Sequence, residues 1–172
     1  MRYAFLAAVA VLLAGCGNPV YRISAEPLPV AGIEQARYLG MWHEQARLPT
    51  WFQEGCQLVT AEYGVRDDGM ISVTNRCTTV DGRERVANGR ARFVGQPGEG
   101  KLKVSFFGPF WGDYWVLERA DDYSWSIVGE PAGKYLWVLT RAETITPEQR
   151  AAFEQRISAL GYRPADLIWR PS

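Results

Sequence analysis

Apolar and polar residues alternate with a period of two through most of the chain between Tyr38 and Arg141. An opening stretch after Leu39-Gly40 carries Trp42, Glu44 and Ala46 on one face and His43, Gln45 and Arg47 on the other. Residues 57–65 set Val59, Ala61 and Tyr63 against Thr60 and Glu62, and residues 70–76 carry Ile71 and Val73 on one face. In residues 83–94, Ala87, Gly89, Ala91 and Phe93 oppose Arg90 and Arg92, and in 101–107 Leu102, Val104 and Phe106 oppose Lys101, Lys103 and Ser105. Residues 114–118, 123–129 and 134–141 complete a set of about eight. A period of two sends successive side chains to opposite faces of a strand, so each stretch is expected to be a strand with one buried face. Turn residues punctuate the series, with Arg66-Asp67-Asp68-Gly69 the strongest signal and 95–100 a loop. Short alternating strands joined by turns favour an antiparallel barrel or sandwich over a parallel sheet.

One segment has helical spacing instead. Thr146 suits an N-cap, Pro147 the first helical position, and Gln149 completes a capping box. Phe153, Ile157 and Leu160 then share a face, and Gly161 ends the helix. Residues 166–169 are expected to add a short edge strand.

The first residues follow a different rule. Arg2 precedes an apolar run from Ala4 to Leu13, which is shorter than the ~20 residues a membrane-spanning helix needs and fits a secretory signal. Leu13-Ala14-Gly15-Cys16 resembles the lipobox of bacterial lipoproteins, which implies a signal peptide over 1–15 and lipidation of Cys16. Gly17 follows, with no aspartate of the kind that resembles an inner-membrane retention signal, so the expected address is the outer membrane, periplasmic face. Residues 16–34 contain Pro19, Pro27 and Pro29 without periodicity and are expected to form a semi-extended, lipid-anchored tether to a domain spanning 35–172.

Composition removes some functions. At 172 residues the chain suits one domain with extensions. Its 19 basic and 19 acidic residues, without basic runs, give no reason to expect nucleic acid. Beyond Cys16, Cys56 and Cys77 remain, an even number in an oxidising compartment. Cys56 begins the second strand and Cys77 ends the third, with the turn near their midpoint. Antiparallel pairing should bring them within disulfide distance. The sole histidine, His43, falls on the outward face, and no His/Cys/Asp cluster has metal-ligand spacing. No nucleophile and base can be assigned, so no catalytic residue is expected.

Three features in order, Gly40 with Trp42, Asp122-Tyr123, and Arg141 after an apolar strand, resemble the signature motifs of the lipocalins. Tyr-Leu-Gly-x-Trp-x-Glu-x-Ala-Arg, Lys-Val-Ser-Phe-Phe-Gly-Pro-Phe and Tyr-Leu-Trp-Val-Leu-Thr-Arg look like the bacterial outer-membrane lipocalins and their apolipoprotein D-like relatives. The likeness runs from about Gln35 to Trp169. It implies an all-β fold, an eight-stranded antiparallel up-and-down barrel with the C-terminal helix packed on its wall. It also implies that the three motifs meet at a closed floor, where an arginine over Trp42 makes a cation–π contact and caps turn carbonyls. Burial of Glu44 just above that floor would raise its pKa unless a donor partners it.

With the family alignment choosing the face, the cavity-facing set is Val59, Ala61, Tyr63, Ile71, Val73, Ala87, Gly89, Ala91, Phe93, Leu102, Val104, Phe106, Tyr114, Val116, Tyr135, Trp137 and Leu139. Ala61, Ala87, Gly89 and Ala91 are the small residues that would leave volume, since a barrel of about eight strands can hold one small ligand. Tyr63, Asn75, Tyr114 and Tyr135 could meet a polar head group. By resemblance the ligand is a fatty acid or lysophospholipid, with no cofactor and no metal. A barrel filled by its own side chains, as a structural envelope lipoprotein, and a lipocalin-like enzyme acting on lipid are the alternatives. Two loops at the open end are aromatic, Trp51-Phe52 and Phe107, Phe110 and Trp111. They could pack as a lid or form an apolar rim. A homodimer is left open.

Overall fold

The sheet closes because its first strand is hydrogen-bonded on both sides. The structure, a computed structural model, describes residues 20–171. Strands β1 (Gly40–Arg47), β2 (Cys56–Val65), β3 (Ile71–Thr79), β4 (Glu84–Phe93), β5 (Lys101–Ser105), β6 (Gly112–Arg119), β7 (Trp125–Gly129) and β8 (Leu136–Thr140) pair in sequence order. The first half of β1 pairs antiparallel with β2 and the second half with β8, which makes an eight-stranded up-and-down barrel. Where β1 has parted from β2, β9 (Ile168–Trp169) pairs with it at Ala46 and Arg47.

The helix α2 (Pro147–Ala159) begins as its sequence requires. The Thr146 side chain accepts from Gln149 N and the Gln149 side chain from Thr146 N, so both reciprocal bonds of the capping box are made. Phe153, Ile157 and Leu160 lie against the outward side chains Leu117, Ile127, Leu136 and Val138. Strands β6 to β8 are therefore covered on both faces, and their outward positions are apolar. Strands β2 to β4 have a solvated outer face, which is why their alternation is cleaner. A second apolar cluster, around Trp42, Tyr63, Val73, Ala91 and Val116, fills the inside of the barrel.

Two differences from the pattern follow from tertiary contacts. The β1–β8 register shifts between Glu44 and Ala46. The bulge turns Ala46 outward, beneath α2, and turns Arg47 inward beside Glu44, the reverse of the faces that strict alternation assigns them. Residues 20–34, expected as a tether, are extended but docked along the outer wall. Ile23 N donates to Gly161 O, Ala31 N to Val116 O and Ile33 N to Gly98 O, each at 2.8 Å, and Ile33 is buried. Gly161 (φ +86°) both ends α2 in a left-handed conformation and leaves room for Ser24 to pass. A short helix, α1 (Gln35–Tyr38), then leads into β1 beneath the barrel. The signal and Cys16 lie outside the described residues.

Since Ile157 is fully buried between α2 and the wall, Ile157→Ala should cost ~2–5 kcal/mol. Urea unfolding of the two proteins measures this; a loss below 1 kcal/mol would mean that the helix does not pack where it is placed.

Candidate ligand-binding site

The motif residues meet at the closed end. Gly40 takes φ +94°, and a Cβ there would lie 3.4 Å from Arg141 Nη1. The Arg141 guanidinium stands 3.8 Å from the Trp42 ring centroid, a contact of ~0.5–2 kcal/mol. It also donates to Met41 O at 2.7 Å, Leu39 O at 2.8 Å and Arg37 O at 2.9 Å. Trp42 Nε1 donates to Tyr38 O at 2.9 Å. Nearby, the Asp122 carboxylate accepts from Ser124 N, allowing Tyr123 its left-handed turn (φ 60°). The Tyr123 ring lies between Arg37 and Arg119, with guanidinium carbons at 4.2 and 4.3 Å, and its hydroxyl accepts from Glu34 N. Every group has a structural partner, so the floor is a plug.

Above it three phenols share one network. The Tyr114 hydroxyl lies 2.9 Å from that of Tyr63 and 3.0 Å from that of Tyr38, which also meets Ser126 Oγ at 3.1 Å. Burial pushes the Tyr38 hydroxyl up to about 12, and raises Tyr63 and Tyr114 as well. These residues, with Ile71, Ala91, Phe93, Leu102 and Val104, surround a void of about 10 Å³, room for roughly one water. The lower barrel is packed.

A second polar network lines one side of the interior. Arg47 Nη1 donates to Glu44 Oε1 at 2.8 Å, and Gln53 Nε2 donates to Glu44 Oε2 at 2.7 Å. Arg47 Nη2 also donates to Cys56 O, and Trp137 Nε1 donates to Gln53 Oε1 at 2.9 Å. Burial raises the Glu44 carboxyl above the usual carboxylate range, while Arg47 and Gln53 oppose the rise. Both donors stabilise the carboxylate, and Glu44 has a structural explanation.

Burial is uneven along the inward face. Val59, Ala61, Tyr63, Ile71, Val73, Ala91, Leu102, Val116 and Leu139 are buried, whereas Asn75, Gly89, Phe93, Val104, Phe106, Tyr114, Tyr135 and Trp137 are half-buried. Ala87 is exposed, although its pairing with Asn75 puts it on the inward face. The Phe106 ring occupies the space over Gly89, where a Cβ would come within 2.8 Å of it. Cys56 and Cys77 are joined, with Cα atoms 5.5 Å apart, at the top of β2 and β3, and the Arg85 guanidinium lies over both sulfurs. Phe52 packs toward Tyr135 (5.7 Å) and Trp137 (6.5 Å), so one aromatic loop partly covers the mouth. Among the described residues no ring pair links it to Phe107 or Phe110.

A family model described as a lipocalin-like domain matches residues 33–172. The chain belongs to the lipocalin-like family. It is 46% identical over 148 residues to the outer membrane lipoprotein Blc of Vibrio cholerae, covering 84% of each chain. It is 36% identical over 164 residues to that of Escherichia coli, covering 95% of this chain and 92% of the other. Temperature-induced lipocalin-1 of Arabidopsis thaliana is 34% identical over 152 residues, covering 83% and 81%. The crystal structure of insecticyanin from the tobacco hornworm Manduca sexta superposes with a TM-score of 0.69 at 21% identity, covering 88% and 87%. That likeness speaks to the fold alone.

Within this lipocalin the residues of the expected cavity-facing set differ in burial. Ala61 and Ala91, expected to leave ligand volume, sit in the packed lower part, and Ala87 alone of the four small residues faces open space. The Tyr63 hydroxyl points at that of Tyr114, which also meets that of Tyr38. Tyr38, Arg47, Gln53 and Ser126 went unnoticed as interior polar groups. Tyr38 and Gln53 lie outside the alternating strands, Arg47 depends on the bulge, and Ser126 carries no signal beyond its strand position. His43 lies on the outer face as expected, and partial burial lowers its pKa.

Removing Arg47 would leave the Glu44 carboxylate buried with one donor and push its pKa further up. A group raised in the folded state contributes stability below its unfolded pKa and loses it as pH rises through the folded pKa. Arg47→Met should therefore cost ~3–5 kcal/mol at neutral pH and recover part of that as pH falls toward the ordinary carboxylate range. The Glu44→Gln/Arg47→Met pair should restore most of the stability and flatten the pH dependence. Urea unfolding at two pH values reads both; an additive double variant would show that the pair is not coupled.

Proposed function

We propose that this lipocalin is a lipid-anchored outer-membrane protein that carries a fatty acid or lysophospholipid in the upper half of its barrel. The observation that carries the reading is the inward-facing surface left open at the mouth. The floor is packed, while apolar and aromatic surface around Ala87, Phe106, Tyr135 and Trp137 stays partly open at the mouth. Such a surface suits a chain whose methylenes enter from above and whose polar end stays near the rim. Relatives that bear the name outer membrane lipoprotein, together with Leu13-Ala14-Gly15-Cys16, support the anchor and the address.

About a dozen methylenes leaving water at ~0.8 kcal/mol each amount to a gross ~10 kcal/mol. Ordering the ligand and losing its translational freedom offset much of this, so affinity near micromolar is expected. The packed lower barrel favours one rival, a structural lipoprotein without a ligand.

Two substitutions separate the readings. Ala87→Trp should weaken saturable lipid binding at least tenfold while the melting temperature stays nearly constant, because the side chain enters open space. Ala91→Trp should instead cost ~1–3 kcal/mol by overpacking the lower barrel, visible as a fall of several degrees. If the wild-type protein binds neither lipid class saturably at micromolar concentration yet melts cooperatively, the structural reading stands.

The anchor is tested separately. Three acyl chains on Cys16, as the lipobox resemblance implies, would hold the protein firmly, whereas one chain binds membranes only marginally. Cys16→Ser should release the folded domain from washed membranes. A variant that stays in the pellet would overturn the assignment.

A further inference from the structure

The two ends of the barrel differ in what they expose. In connections at the open end, Trp51, Phe107 and Phe110 are 78%, 76% and 76% exposed, and Val80 is 71% exposed. Next to Phe110, the Trp111 ring is held between Arg90 and Arg92, with guanidinium carbons 5.2 and 4.7 Å from its centroid. Aromatic rings with guanidinium groups beside them suit the boundary between lipid head groups and acyl chains, where one part is apolar and the other wet. At the closed end Val65 is also exposed, but the turns around it carry Arg66, Asp67, Asp68, Asp121 and Asp122. Those charges would lose hydration against a bilayer.

The start of the described chain lies at the open end as well. The Arg22 side chain packs on Gly133 in the β7–β8 connection, where a Cβ on the glycine would meet Arg22 Cβ at 2.8 Å. Arg22 Nε donates to Leu160 O at 2.9 Å, and Arg163 Nη2 reaches Val20 O at 3.5 Å, both at or just beyond the C-terminal end of α2. Cys16 is four residues before Val20, and a fully extended chain of that length spans at most about 14 Å. The opposite end of the barrel is roughly 25–30 Å away, a strand length at ~3.3 Å per residue. An anchor on so short a connection holds the open end near the membrane.

From these two observations we infer that the barrel mouth faces the phospholipid leaflet holding the anchor, with Trp51, Phe107 and Phe110 entering its surface. The inference rests on lipidation of Cys16 as proposed above. It deepens the carrier reading, because a lipid then passes between leaflet and barrel without crossing bulk water.

The test uses the full lipidated chain in vesicles of phosphatidylethanolamine and phosphatidylglycerol, with photoreactive benzoylphenylalanine replacing Phe110 or Val65. Both positions are exposed, and a cooperative melt checks folding. Illumination should give a lipid adduct at position 110 at least tenfold stronger than at 65. An equal or stronger adduct at 65, none at 110, or a crosslink from 110 to a second copy of the chain would overturn the orientation. Chain that washes off the vesicles would defeat lipidation of Cys16 and the orientation with it. Bound chain with the adduct at 65 would defeat the orientation alone and leave the anchor standing.

Discussion

Strand β1 has to serve two ladders, and the rest of the barrel depends on how it does so. Its first half pairs with β2 and its second half with β8 and β9. Had it paired on one side only, the sheet would have kept an open edge with unpaired amides and carbonyls. The bulge between Glu44 and Ala46 lets the strand bend away from β2 as it makes the change. It also sends Ala46 toward α2 and Arg47 into the barrel, so one irregularity supplies both the helix-facing contact and the partner of Glu44.

The two ends of that strand then have different work. At the lower end Arg141 ties the turn before β1 to the end of β8 through three carbonyls and the face of Trp42. This fixes the floor, and the tyrosine cluster fills the space above it. At the upper end the Arg47–Glu44–Gln53–Trp137 network and the Cys56–Cys77 bridge hold the wall of the mouth. Ligand space can exist only between these fixed parts, in the region where Ala87 remains exposed. The proposed carrier function is thus confined to the upper barrel by how completely the lower barrel is packed.

Much of this was legible in the order of residues. Period-two alternation marks the inward face on β2 to β5, because the outward positions of those strands are largely polar. The capping box at Thr146 and Gln149 locates α2, since it depends on neighbours in sequence. The Cys56–Cys77 pairing also follows from local geometry, a hairpin with its turn midway. The motif residues Gly40, Trp42 and Arg141 indicate the family and hence the closure of the barrel.

What the sequence could not decide was anything requiring two distant segments to be placed together. Arg47 faces inward only because β8 and β9 impose a shifted register on β1, and alternation has no means of signalling a bulge. Tyr38 joins Tyr63 and Tyr114 because α1 tucks under the barrel, a placement set by Trp42 and Arg141 rather than by its own neighbours. The proline-bearing segment 20–34 reads as a tether, yet it finds backbone partners at Gly98, Val116 and Gly161 and becomes part of the wall. Ala61, Ala87 and Ala91 are alike as letters and share one face. Only the tertiary structure separates them by depth, because free volume depends on which side chains from other strands reach the same layer.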